Sequence, residues 1–356
     1  MNFNIFCVTI LNSRMVKSIL WHIAPERIIN MKEKSCENKK THMTSIGGQA
    51  VIEGVMMRGP KEIAVAVRTP DKGIVIDKKP VASILQKYKF LKLPIIRGVV
   101  SFIESLITGT KALMFSAELF DIEEEEDKAK KESMSEEERK KLEAKDSKMK
   151  NAAIYFSVVL ALVFGIGLFM MLPTVVVGFA RDYLFHDAGG FWVTLLEGVI
   201  RIAIFLVYVS LVSQMKDIRR VFEYHGAEHK TIFCYESGEE LTVENARRFS
   251  RLHPRCGTSF LLIVMVVSII VFSFISWSNP WQRLGIRLLL LPVVAGLSYE
   301  VIKFAGRSKS TCMRIVSAPG MWLQKITTRE PDDSQLEVAI ASLKAVLTDN
   351  PEDDKW

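Results

Sequence analysis

The sequence predicts a mainly α membrane protein, with about four transmembrane helices in hairpins and a small N-terminal β-rich segment facing the cytoplasm. Three observations predict it. Of the 356 residues 49% are hydrophobic, and mean hydropathy is +0.19, high for a soluble chain. The second half of the chain holds apolar runs of about twenty residues, the length that crosses a bilayer. Ahead of them lies a Val- and Ile-rich stretch punctuated by Gly, Pro and Asp, the pattern of short strands and turns.

Residues 1–44 carry no signal-peptide layout. The stretch Asn2 to Trp21 is mildly apolar but broken by Asn12, Arg14 and Lys17, and a lysine-rich run follows Met31. The expectation is a disordered or mis-annotated extension with translation starting at Met31 or Met43; an N-terminal amphipathic anchor is the alternative. Residues 45–82 form the β-rich segment. Strands are expected at Ala50–Val55, Ile63–Arg68 and Gly73–Asp77, with a turn at Thr69-Pro70-Asp71-Lys72-Gly73. The glycines of Gly47-Gly48-Gln49 and Gly54 point to close backbone approach. A Glu53–Arg58 ion pair is the plainer reading of the charges there.

Residues 83–120 keep a helical period through Ile95, Val99, Phe102, Ile103, Leu106 and Leu113, but Arg97, Glu104 and Lys111 interrupt it. Charges so central suit an interfacial or partly buried helix better than a clean span. Residues 121–150 are a charged linker, with a capping box at Ser135 and Glu138.

The membrane domain is 151–306. Its spans are Ala152–Ala180, Phe191–Val212, Phe260–Trp277 and Ile286–Ala305. Glu197 and Arg201, four apart, can pair on one face of the second span. The cytoplasmic loop 214–258 contains Lys216, Arg219, Arg220, Lys230, Arg247, Arg248, Arg251 and Arg255, whereas the links Arg181–Gly190 and Ser278–Gly285 hold one arginine each. The positive-inside rule therefore puts this loop and both termini in the cytoplasm of a cell with its protein in the inner (plasma) membrane. The net charge of +7 is then that of basic cytoplasmic loops. No zinc ribbon or aromatic-interleaved basic stripe points to nucleic acid. The tail 307–356 carries an amphipathic helix that starts at Pro331-Asp332-Asp333. Its apolar face is Leu336, Ala339, Ile340, Leu343 and Leu347, and it must dock on the cytoplasmic domain or on a partner.

The chemistry concentrates in His225-Gly226-Ala227-Glu228-His229, an H-x-x-E-H pentad in a chain with only 6 histidines. Histidines four apart stack on one helical face and can share a metal, and the same order occurs in inverted zinc peptidases. The second span is expected to run unbroken from Phe191 to about Cys234, making a rigid platform, with Gly226 admitting a close neighbour. Zinc wants a third and often a fourth ligand. His253-Pro254-Arg255-Cys256 is the best source. His225, His229, His253 and Cys256 could close a structural tetrahedral site; with three ligands and one open position the site would be catalytic, and Glu228 the general base. Glu300 is a weaker third ligand, since Lys303 is its obvious partner. The five cysteines lack C-x-x-C spacing and read as reduced thiols, with Cys234 buried and inert.

These residues together resemble the YqhQ-like family of bacterial and some plastid membrane proteins. The resemblance rests on Gly47-Gly48-Gln49-Ala50-Val51-Ile52-Glu53-Gly54-Val55-Met56-Met57-Arg58, on Pro94-Ile95-Ile96-Arg97-Gly98, and on the pentad with Lys230. It also rests on His253-Pro254-Arg255-Cys256-Gly257-Thr258-Ser259 and Thr327-Thr328-Arg329-Glu330-Pro331. It covers Gly47 to Leu347, and the extension before Gly47 departs from it. The resemblance implies a predicted metal-dependent enzyme, with no substrate. The expected function is a zinc-dependent hydrolase-like enzyme acting at the cytoplasmic membrane surface, on a peptide bond or on a lipid ester or amide. Its partners would be the lipid bilayer and a membrane-protein or peptide. The alternative is a non-enzymatic assembly or scaffold factor with a structural metal. A transporter, using Glu197, Arg201 and Glu300, is the weakest of the three.

Overall fold

A computed structural model describes residues 42–119, 156–184, 190–274, 280–307, 311–348, 350 and 353–354. The charged linker 121–150 with its capping box, Cys7, Cys36 and the extension through residue 41 lie outside the described residues. His42 and Thr44 belong to the folded body: Thr44 donates through its hydroxyl to the Asp354 carboxylate at 2.8 Å.

The β-rich segment is a four-stranded antiparallel meander in the order β1 (Gly47–Val51), β2 (Gly54–Arg58), β3 (Glu62–Arg68), β4 (Ile74–Pro80). The expected strand Ala50–Val55 is in fact a hairpin. Val51 pairs with Gly54, and Ile52-Glu53 make the turn. Glu53 takes a positive φ of 49°, and Gly54 has no β-carbon to overlap the Ala66 carbonyl behind it. This turn also separates Glu53 from Arg58 by the length of β2, about 16 Å at 3.3 Å per residue. The two do not pair. Glu53 binds Arg220 and the Tyr224 hydroxyl, and Arg58 binds Glu104 at 3.4 Å.

The long helices follow. α1 is Ile96–Glu118, and α2 is the apolar run Phe156–Ala180 with a π-helical turn at Gly167–Met171. α3 is Gly190–Val212, α4 is Lys216–Glu236 and α5 is the short Val243–Arg247. α6 is Gly257–Ser273, α7 is Pro280–Arg307, α8 is Thr311–Thr327 and α9 is Asp333–Val346. Among the described residues four helical stretches are long and apolar enough to cross a membrane: Ile96–Glu118, Phe156–Ala180, Phe191–Val212 and Leu284–Phe304. The expected third span, Phe260–Trp277, is the shorter α6 of 17 residues.

The second span does not run on into the pentad. It stops at Val212, and α4 restarts after Met215. The break has a local cause. The Ser213 hydroxyl and the Gln214 amide both donate back to the Ser210 carbonyl, at 2.8 and 3.1 Å, in competition with the helical ladder.

Glu197 and Arg201 pair as the spacing predicts, at 2.9 Å, and Arg287 of α7 adds a second arginine at 2.8 Å from the other carboxylate oxygen. Arg201 also donates to the Phe169 carbonyl within the π-helical turn. Glu300 is paired with Arg97 of α1 through both oxygens, at 2.7 and 2.5 Å, not with Lys303, whose ammonium lies by the Tyr299 ring. Gly98 and Gly296 decide this. A β-carbon on either would press into the other helix, so their absence lets α1 and α7 cross closely enough for Arg97 to reach.

The tail helix docks on its own chain. Asp332 and Gln335 form a reciprocal capping box at the start of α9. Leu336, Ala339, Ile340 and Leu343 bury against Val55, Met57, Ala64 and Ala66 of the sheet and against Tyr224 and Ala227 of α4. α9 thus sits between the sheet and the pentad helix. Leu343 is fully buried, so Leu343→Ala should cost about 2–5 kcal/mol. A clearly lowered melting temperature in detergent is the expected result; unchanged melting would mean that α9 does not dock this way.

Candidate metal centre

α4 lies between two backbones. On one side, Gly226 faces the segment after α8. Any β-carbon at 226 would overlap the Arg329 carbonyl oxygen, and the Arg329 N–H donates to the Phe222 carbonyl at 2.8 Å. The glycine that weakens a helix by about 1 kcal/mol is therefore what lets residues 327–329 lie against it. On the other side, the Gly48 N–H of β1 donates to Glu228 at 3.0 Å. A β-carbon on Gly48 would come within 2.7 Å of the Met56 carbonyl and 3.0 Å of the Glu228 carboxyl carbon.

These contacts aim the histidines. His225 and His229 stack one turn apart, with ring centroids 4.5 Å from each other. His225 Nδ1 lies 2.8 Å from the Thr327 carbonyl, and His229 Nδ1 lies 2.5 Å from the Arg251 carbonyl. A carbonyl only accepts, so Nδ1 carries the proton in both rings and each Nε2 keeps a lone pair. Zinc-binding histidines are oriented by this kind of carbonyl contact.

The third group is Cys256. Its sulfur is 3.2 Å from His225 Nε2. It caps α6, receiving the Thr258 N–H at 3.4 Å with the Thr258 hydroxyl at 3.1 Å. The donors and positive end of a helix N-terminus favour a negative ligand atom there. One ligand atom from each of His225, His229 and Cys256 falls within 4.8 Å of the others. Zinc bonds of about 2.0–2.1 Å to nitrogen and 2.3 Å to sulfur put tetrahedral ligand atoms about 3.3–3.6 Å apart, and the 3.2 Å between His225 Nε2 and the Cys256 sulfur is close to that. The donor set fits a divalent metal.

His253, the favoured third ligand on sequence, stands beside this trio. Gln324 of α8 pins its backbone at 2.8 Å on both sides. Its ring centroid is 5.6 Å from that of His229 and 4.5 Å from Phe233. Burial pushes its pKa down to about 4, so the ring is neutral. The Arg255 N–H donates to its Nδ1 at 3.3 Å, which leaves the proton on Nε2. That Nε2 lies 3.7 Å from the Glu236 carboxylate and has no hydrogen-bond partner.

Glu228 is buried, and burial pushes its carboxyl pKa up, against the opposing pull of His225 and the Gly48 N–H. It lines a cleft of about 270 Å³ with Gly48, Gln49, His229, Cys256 and, from α1, Ser105 and Thr108. Glu300 is far along α7 in its pair with Arg97. Cys234 is buried, and burial pushes its thiol up to about 11, which suits an inert core residue. The carbonyls of Thr327 and Arg251 and the Gln324 amide carry no sequence signal. The Gly48 contact does have one, the Gly47-Gly48 pair.

Residues 93–349 match the family described as "Protein of unknown function (DUF1385)". The chain is also 35% identical over 306 residues to "Uncharacterized protein YqhQ" of Bacillus subtilis (strain 168), covering 85% of this chain and 92% of that protein. No solved structure matches. The chain belongs to the DUF1385 family.

Gly226→Ala tests the platform. The added carbon should push the 327–329 segment off α4, destabilise the fold by about 1–3 kcal/mol as overpacking does, and release the carbonyl that orients His225. The melting temperature should fall; a variant as stable as the parent would mean the segment is not held there.

Proposed function

We propose that this DUF1385 protein is a metal-dependent hydrolase whose site lies at the cytoplasmic surface of the plasma membrane. One observation carries the reading. Both pentad histidines donate hydrogen bonds from Nδ1 to backbone carbonyls, which leaves each Nε2 as the ligand atom, and that of His225 lies 3.2 Å from the Cys256 sulfur. Three protein ligands and an open position form the pattern of catalytic zinc sites; four close a structural one.

His225, His229 and Cys256 would hold the metal, with zinc the best match to two imidazoles and a thiolate. When bound, the metal supplies Lewis-acid chemistry that activates water and polarises a carbonyl. Glu228 would be the proton acceptor. It lines the cleft beside His229, and the Gly48 N–H holds one of its oxygens. β1 and α1 line the cleft through Gly48, Gln49, Ser105 and Thr108. A peptide bond presented at the membrane suits the pentad best, with a lipid ester or amide second. The basic residues of 214–258 favour the cytoplasmic side.

A scaffold with a structural metal is the competing reading, and the closeness of His253 to His229 favours it. It requires His253 to become the fourth ligand, which means moving the proton off Nε2.

Metal content decides between them. In chelator-free protein, near-stoichiometric zinc is expected in the wild type and in His253→Ala, and loss of most of it in His225→Ala, His229→Ala and Cys256→Ser. Loss in His253→Ala as well would favour the four-ligand staple. Absence of metal from the wild type would overturn both. Glu228→Gln should keep the metal and lose hydrolysis of membrane-presented peptides by a factor of about 10² or more, the usual scale for a missing general base.

A further inference from the structure

We infer that α1, although long and apolar enough to cross a bilayer, does not cross it but slants into the membrane from the side that bears the pentad. One face of it is immersed in the adjoining lipid leaflet. The inference does not depend on a metal being bound.

Neither end of α1 is tied to the side opposite the pentad. At its start, Arg97 pairs with Glu300, Gly98 packs at Gly296, and the Phe102 ring lies 5.7 Å from Phe260. Phe260 is in the first turn of α6, four residues after Cys256. Glu300 is near the end of α7 that leads into α8. That helix packs Gly320 against Ser259, and its last residue, Thr327, offers the carbonyl to His225. At the far end of α1, Ala112 is buried with Val51, Met56, Val65 and Val67 of the sheet, and Phe115 and Leu119 pack on them. Between the two ends, Glu104 binds Arg58, and Gln49 lies against Gly109. The sheet in turn meets α4 through Gly48 and Glu228. A helix of 23 residues is about 34 Å long at 1.5 Å per residue. Were it to span, its ends would stand on opposite sides of a hydrocarbon layer about 30 Å thick. Here the far end stands on the sheet beside the site, and the start reaches only to Gly296, near the middle of the stretch Leu284–Phe304.

The two faces of α1 differ accordingly. Gly98, Gly109, Ala112 and Ser116 are buried against protein. Phe102, Ile103, Leu106, Ile107, Leu113 and Met114 are 36–53% exposed and recur at helical spacing on the other side. Lipid is the occupant that the surroundings indicate, because this face continues from Phe102 onto the first turn of an apolar helix. The preceding segment has the composition of a membrane interface. Tyr88, Phe90 and Leu93 are exposed, and its sequence includes Lys87, Lys89 and Lys92. Ser105 and Thr108 then bring the mouth of the cleft to the level of the lipid headgroups.

Depth measurement on the full-length protein tests this. A ketone-bearing amino acid placed in turn at Ile103, Leu106, Leu113 and Glu118 can carry a nitroxide without touching the native cysteines. The protein is reconstituted in phosphatidylcholine–phosphatidylglycerol vesicles, and oxygen and a nickel chelate serve as collision partners. All four positions are exposed, so the labels should not disturb folding. The expected result is depth that falls from 103 through 106 to 113 without passing the bilayer centre, with the label at 118 reduced by ascorbate from the side that also exposes the 214–258 loop. Depth that passes through the bilayer centre along the helix, with 118 reduced only from the opposite side, would overturn the inference. So would free collision with the nickel chelate at all positions, which would mean that a protein partner or nothing at all covers the face.

Discussion

The carbonyl oxygen of Arg329 occupies the place where a side chain at position 226 would begin, and the rest of the site depends on that close approach. With residues 327–329 held against α4, the Thr327 carbonyl reaches His225 and fixes its proton. The same turn of chain leads into the capping box of α9, which fills the space between α4 and the sheet. The sheet then presents Gly48 to Glu228. One missing methyl group thus connects the ligand geometry, the tail helix and the walls of the cleft. A helix interior tolerates glycine at a cost of about 1 kcal/mol, which the packing on α4 offsets.

Charge burial follows a consistent rule in this molecule. Glu197 is almost wholly inaccessible, and it is matched by Arg201 and Arg287 with Thr174 donating as well. Lys230 is equally buried and gives its protons to the Arg247 carbonyl and to Glu330. Glu228 differs. Among the described residues its hydrogen-bond donor is the Gly48 backbone N–H, although a buried carboxylate ordinarily requires full pairing. Burial under so little compensation is what pushes the Glu228 carboxyl pKa up.

Much of the site was legible because it is local. His225 and His229 meet through the helical repeat, Gly226 and Gly48 announce close backbone neighbours, and Cys256 sits just ahead of an apolar helix whose start it caps. The choice between His253 and Cys256 was not legible. They are three residues apart on one loop, and only the Gln324 contacts and the Arg255 N–H on Nδ1 place one ring beside the trio and the other residue's sulfur within it. The wrong partners for Glu53 and Glu300 have the same origin. Nearness in sequence favoured Arg58 and Lys303, whereas a tight hairpin and a glycine crossing delivered Arg220 and Arg97.

The sequence by itself determined the mainly helical class, the apolar lengths of the long helices, the strand-rich segment, the amphipathic tail and its cap, and the pairing of Glu197 with Arg201. Each of these follows from periodicity or spacing within a few residues, where backbone geometry leaves little choice. Tertiary structure alone decided that α9 covers its own sheet, that Glu300 pairs with Arg97, and that Cys256 joins the histidines. Those outcomes come from contacts between segments tens to hundreds of residues apart. Such contacts are selected by how closely two backbones can approach and by which buried donor finds an acceptor, and no local pattern encodes either.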